Sequence, residues 1–128
     1  HRDLHLSLRR QRQMCIRDRH VTIQSKFSDA INEISSKMLG ATAVLDKDKI
    51  VGIITDGDVR RILEKFSNPL NITLEKVIIN APKTVNYDLL AIDALQIMND
   101  NKITNLIVTK KNKYIGMLHI HDIINAGL

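Results

Sequence analysis

The stretch Gly52-Ile53-Ile54-Thr55-Asp56-Gly57-Asp58-Val59-Arg60-Arg61 carries a β-branched apolar run directly into a charged one that opens an amphipathic pattern. Thr55-x-x-Asp58 has capping-box spacing, with a hydroxyl at the N-cap and a carboxylate at N3, which satisfies free N–H groups at a helix start. The stretch therefore reads as a strand passing straight into a helix. At Gly116-Met117-Leu118-His119-Ile120-His121-Asp122-Ile123 the arrangement recurs, 64 residues later, with His119 replacing the Thr and the Asp kept.

Working outward, the same shift of 64 aligns Asp29-Ala30 with Asp93-Ala94, Val44 with Val108, and Lys47 and Lys49 with Lys111 and Lys113. Such a repeat sets the architecture before any single element does. In the first copy, Val21 to Ile23 is extended, and Phe27, Ala30, Ile31, Ile34, Met38 and Leu39 then recur at helical spacing. Ser25 is placed to cap that helix, and Gly40 sits where a left-handed residue ends one. Ala41 to Leu45 and Ile50 to Ile54, joined by Asp46-Lys47-Asp48-Lys49, predict a hairpin. The helix starting near Thr55 carries Val59, Ile62, Leu63 and Phe66 on one face. The unit is β-α-β-β-α. The second copy repeats it with Thr84-Val85, a helix over Ala91 to Asn101, a hairpin turning at Lys110 to Lys113, and a last helix from about Ile120 to Ala126. These readings divide the body into repeat 1 over residues 21–66, a packed connector with an apolar patch at Val77-Ile78-Ile79 over 67–82, and repeat 2 over 83–128.

Residues 1–20 use a different alphabet. Six of the eight Arg and the single Cys15 lie there with two Asp, while the remaining residues hold 13 basic against 12 acidic side chains. All but one unit of the +5 net charge thus belongs to one end of the chain. A nucleic-acid or lipid partner needs net charge gathered on the folded surface, and the near-neutral body does not supply it. With no Trp, two Tyr and two Phe, stacking platforms for single-stranded nucleic acid are also missing. The run Gln11 to Arg19 resembles a translated sequencing adapter, so residues 1–20 read as non-native or as a disordered basic arm. A transit peptide fits poorly with two Asp and one Ser.

No run nears the roughly 18 consecutive apolar residues of a membrane helix, and no signal-peptide core appears. The expectation is one compact, soluble, cytoplasmic domain. One Cys cannot form an internal disulfide.

The candidate site residues follow from the two strand-to-helix turns. Free N–H groups and the positive helix end can hold a phosphate, and Asp58 one turn in can accept from sugar hydroxyls. Asp56 and Asp58 would repel that phosphate, so Arg60 and Arg61 are the cations the site needs. His119, His121 and Asp122 form the second candidate set. His-x-His-Asp can be read as a metal site, but no third or fourth ligand lies close in sequence. A neutral His donating to a ligand oxygen, or satisfied by backbone, is the competing reading. An enzyme holding Mg²⁺ on Asp56 and Asp58 lacks a P-loop, a dinucleotide fingerprint or a nucleophile–base pair.

The duplicated unit, with its closing Gly-apolar-apolar-Thr-x-x-Asp, resembles a tandem pair of cystathionine-β-synthase (CBS) domains, an α/β (α+β) fold also called a Bateman module. The wordings Thr55-Asp56-Gly57-Asp58-Val59-Arg60-Arg61 and Leu118-His119-Ile120-His121-Asp122-Ile123-Ile124 resemble the C-terminal end of bacterial D-arabinose 5-phosphate isomerases. That resemblance implies two repeats packed side by side around a cleft that takes a regulatory nucleotide: CMP-Kdo from lipopolysaccharide synthesis, AMP or ATP. It implies Thr55, Asp58 and Asp122 at ribose and hydroxyl places, no required cofactor or metal, no catalysis without the sugar-isomerase (SIS) domain, and a homo-oligomer with neither nucleic acid nor membrane as partner. Alternatives are a ligand-free dimerisation module and the CBS pair of a sugar nucleotidyltransferase. His119 departs from the family's Ser/Thr.

Overall fold

The protein is described from a computed structural model, for residues 7–8, 16–17, 20–37, 40–77 and 82–127; the side chains of 16–17, 36–37 and 125–127 are left aside. Expectations for Cys15, Met38, Leu39, Ile78, Ile79 and the N-terminal Arg cluster lie outside the described residues.

The elements run β1 (Ile16–Arg17), β2 (His20–Thr22), α1 (Phe27–Lys37), β3 (Ala41–Asp46), β4 (Lys49–Thr55) and α2 (Asp56–Lys65). Two 3₁₀ turns follow at Pro69–Asn71 and Leu74–Lys76, then β5 (Thr84–Asn86), α3 (Ala91–Asn101), β6 (Asn105–Lys110), β7 (Lys113–His119) and α4 (Ile120–Gly127). Contacts divide the chain into Arg19–Pro82 and a second unit made of His1–Asp18 with Lys83–Leu128. Each unit has its own core.

In the first unit a three-stranded sheet has the order β2-β3-β4, with β2 parallel and β4 antiparallel to β3. The central strand β3 is buried over Ala41 to Leu45, Thr42 included, as expected of a strand covered on both faces. Phe27, Ala30 and Ile34 from α1 meet Val44, Ile54 and Ile62 over it. Leu74 and Val77 of the connector join the same core, so their burial anchors the connector to this unit. The second unit repeats the sheet as β5-β6-β7 and adds β1 antiparallel to β7, pairing Ile16 with Leu118. Leu8, Val85, Ala94, Met98, Leu106 and Ile123 form its core.

The register obeys the same 64-residue shift: His20 pairs with Ala43 as Thr84 pairs with Ile107, and a bulge falls at Val44/Leu45 and at Val108/Thr109. Both hairpins close through two residues with positive φ, Lys47 (50°) and Asp48 (70°), then Lys111 (53°) and Asn112 (66°). Two central residues with positive φ mark a type I′ turn, whose twist matches that of the strands.

Two local readings, of Ser25 and Leu63, are corrected. Ser25 does not cap α1: its Oγ accepts from the Thr22 N–H at 3.2 Å, inside the preceding turn. Asp29 takes over, its carboxylate accepting from the Lys26 N–H at 3.0 Å. Leu63 is 49% exposed, although its spacing put it with Ile62 on the buried face of α2. Composition sets residues 1–20 apart, yet the fully buried Leu8 donates its N–H to the Leu89 carbonyl at 2.7 Å, and Ile16–Arg17 extend a sheet. An apolar side chain that finds a core is held there whatever the charge of its neighbours.

Candidate functional site

At the start of α2, Thr55 is the N-cap and the capping box is complete. The Asp58 N–H donates to Thr55 Oγ1 at 3.2 Å, and Asp58 Oδ2 accepts from the Thr55 N–H at 3.0 Å and its hydroxyl at 3.1 Å. Oδ1 accepts from the Arg61 guanidinium. Both oxygens of Asp58 are therefore engaged within one helical turn. Arg61 lies over Gly57, where a Cβ would make ordinary contact at 3.5 Å from a guanidinium nitrogen. The Arg61 side chain is 69% exposed against 16% for Asp58, so the pair is an anchored carboxylate with a solvated cation on it. Arg60 is exposed. A second tie fixes the helix start, since the Asp56 N–H donates to the Gly40 carbonyl at 2.9 Å.

The start of α4 reproduces that tie with the Ile120 N–H and the Thr104 carbonyl at 2.8 Å. Its cap differs in chemistry. His119 Nδ1 accepts from the His121 N–H at 3.0 Å, so an imidazole nitrogen does the work of the Thr hydroxyl. The expectation that capping weakens here is corrected: an acceptor is present, bonded to N2 rather than N3. The two rings stack, with centroids 4.9 Å apart and planes 22° from parallel. Burial first, then the charge of His121, lowers the pKa of His119, and Asp122 opposes them without prevailing. The neutral ring with its proton on Nε2 is the form that Nδ1 acceptance requires.

One residue that sequence reading passed over stands across the ladder from His119. Asn105 opens β6 and pairs with His119 as Ala41 pairs with Thr55. It is 9% exposed, and its Nδ2 bonds Thr104 Oγ1 at 3.2 Å while the buried Oδ1 has no hydrogen-bond partner. The signal was available: a polar residue opens a strand whose counterpart in the first copy opens with Ala.

Among the described residues no group of three or more His, Cys, Asp or Glu side chains could hold a metal ion. No helix among them is long and apolar enough to cross a membrane.

The sequence matches the CBS domain family over residues 15–65 and again over 74–128. The chain belongs to that family. Arabinose 5-phosphate isomerase KdsD of Pseudomonas aeruginosa is 39% identical over 110 residues, which are 84% of this chain and 34% of that protein. The KdsD proteins of Salmonella typhimurium and Escherichia coli are 36% and 32% identical over similar lengths. The chain thus spans about a third of the length of these curated relatives. Among solved structures, a signal-transduction protein with CBS domains from Burkholderia ambifaria superimposes with a TM-score of 0.78 at 24% identity, over 94% of this chain and 90% of that one. A CBS domain protein from Pyrobaculum aerophilum complexed with AMP gives 0.74 at 18% identity over 86% of each chain.

The first CBS match begins at residue 15, inside the segment set apart by composition. Within this CBS pair the candidates fall into two separate sets. Thr55, Asp58, Arg60 and Arg61 share the first turn and a half of α2, and His119, His121 and Asp122 share the first turn of α4.

Proposed function

We propose that this CBS pair is the regulatory part of an arabinose 5-phosphate isomerase and binds a nucleotide or nucleotide sugar, CMP-Kdo or an adenine nucleotide. The observation that carries the reading is the 39% identity to KdsD, spread over 84% of this chain yet confined to 34% of the relative. A nucleotide is supported by fold neighbours complexed with AMP.

In this reading Asp58 and Asp122 accept from ribose hydroxyls, and Thr55 and the backbone N–H groups at the helix starts meet phosphate. Arg61 is released from Asp58 to pair with the anion, which costs little because an exposed ion pair contributes about 0–1 kcal/mol. Arg60 is the second cation. His119 and His121 serve the second set. A ligand then alters the parent enzyme only as far as it prefers one of that enzyme's arrangements. The chain acts within a homo-oligomer, and the exposed Leu63 of α2 gives copies an apolar point of contact.

Calorimetry with CMP-Kdo, CMP, AMP and ATP tests the reading. Binding of at least one is expected, weakened roughly tenfold to a hundredfold in Asp58→Asn and Asp122→Asn, the loss of one charged hydrogen bond. No heat for any of them at millimolar concentration overturns it. Coding sequence upstream of residue 21 separates a sugar-isomerase parent from a nucleotidyltransferase one.

A further inference from the structure

We infer that Arg61 makes the first repeat select a phosphorylated nucleotide over the bare nucleoside, because the guanidinium that pairs with phosphate also closes Asp58 to ribose until phosphate draws it off. The inference rests on the nucleotide reading above and names the part of the nucleotide that opens the site.

A carboxylate offers about four acceptor positions, two on each oxygen. On Asp58, Oδ2 is filled by the Thr55 N–H at 3.0 Å and the Thr55 hydroxyl at 3.1 Å, and Oδ1 already accepts from the Arg61 guanidinium. One position is left. The vicinal hydroxyls of a ribose bring two O–H donors, so an occupant must leave before both are met. The two on Oδ2 belong to the capping box, and giving them up undoes the start of α2. Arg61 is the partner that water can replace, since its side chain is 69% exposed.

The position of the guanidinium ties this exchange to phosphate. It lies over the first turn of α2, its two terminal nitrogens 3.5 and 3.7 Å from where a Cβ of Gly57 would stand, at the helix end read above as the phosphate site. A nucleotide supplies in one molecule the anion that takes Arg61 and the diol that replaces it on Asp58. A nucleoside supplies only the diol and must compete with the ion pair. Phosphate and ribose recognition are thus coupled, and such coupling is reciprocal. The second repeat lacks the device, because the shift of 64 puts Ile124 and Asn125 where Arg60 and Arg61 stand.

The test is calorimetry with AMP, CMP, adenosine and cytidine on the full chain and on Arg61→Gln, both carrying Asp122→Asn so that the second repeat contributes little. In the variant, at least one nucleoside is expected to bind about two- to fivefold more tightly, the worth of an exposed ion pair, and its nucleotide about tenfold more weakly. A second arm needs no variant: inorganic phosphate, against chloride at matched ionic strength, is expected to tighten nucleoside binding to the parent chain. The same addition is expected to do nothing in Arg61→Gln. Nucleoside binding that is unchanged or weaker in the variant, or undetected in both chains, overturns the inference and leaves Arg61 a plain phosphate contact. Phosphate that fails to tighten nucleoside binding also overturns it. If neither AMP nor CMP binds the parent chain the inference falls, while CMP-Kdo and ATP decide the nucleotide reading separately.

Discussion

Thr55 and His119 perform one task with different atoms, and the difference introduces a proton. A hydroxyl accepts at any ordinary pH, whereas Nδ1 accepts only while it is unprotonated. Because burial and His121 lower the pKa of His119, the unfolded chain takes up that proton at a higher pH than the folded one. Stability tied to His119 is therefore complete above pH ~6.5, the ordinary imidazole value, and is lost as pH falls through the lower folded pKa. Melting temperatures of wild type and His119→Thr, measured from pH 8 to pH 5, are expected to diverge as the pH drops, with wild type falling further. Parallel curves would remove His119 as the cause. Asp58→Ala, by contrast, removes half a capping box at any neutral pH and is expected to cost about 0.5–2 kcal/mol in denaturant melts. Asp58 was recognisable from its spacing to Thr55 alone. The cap at His119 was not, because a histidine at the N-cap follows no spacing rule and its role depends on which nitrogen meets the backbone.

At the scale of elements, the repeat carried most of the prediction, and its limits are instructive. The hairpins, α3 and the starts of α2 and α4 follow from patterns that a 64-residue shift confirms twice. Leu63 escaped because a helical stripe at i, i+3 and i+4 is wider than the strip that is buried, and in α2 Ile62 is buried while Leu63 stays exposed. Ser25 escaped because a hydroxyl can bond the turn before a helix as easily as its first N–H groups. Each hairpin holds two residues other than Gly in left-handed conformations, at about 1–2 kcal/mol per residue. Asn112→Gly and Asp48→Gly are each expected to raise the urea midpoint, by less than the full figure because Gly also loses more entropy on folding. Gly40→Ala is expected to act oppositely. Its φ is +73°, and a Cβ would meet Asp56 Oδ2 at 3.2 Å, so a loss of about 1 kcal/mol or more should appear in the same titration.

Across the whole molecule, charge and composition set the first twenty residues apart, and they speak louder than one Leu. Arg-rich flanks describe the environment of a segment and say nothing about which side chain finds a cavity. Leu8 is fully buried among Val85, Ala94 and Met98. Leu8→Ala is expected to cost about 2–5 kcal/mol in a thermal or urea melt. A change within ±0.5 kcal/mol would show that this segment does not hold the second unit together.

The discontinuity of that unit has a consequence in time. Arg19–Pro82 is contiguous, whereas the unit holding Leu8 and β1 draws on chain from both sides of it. A ribosome adding about 5–20 residues per second finishes the inserted unit first. Leu8 leaves the exit tunnel several seconds before β5, β6 and β7 exist. Through that interval it is an apolar side chain without its partners, open to capture by a chaperone or by the unit already folding beside it.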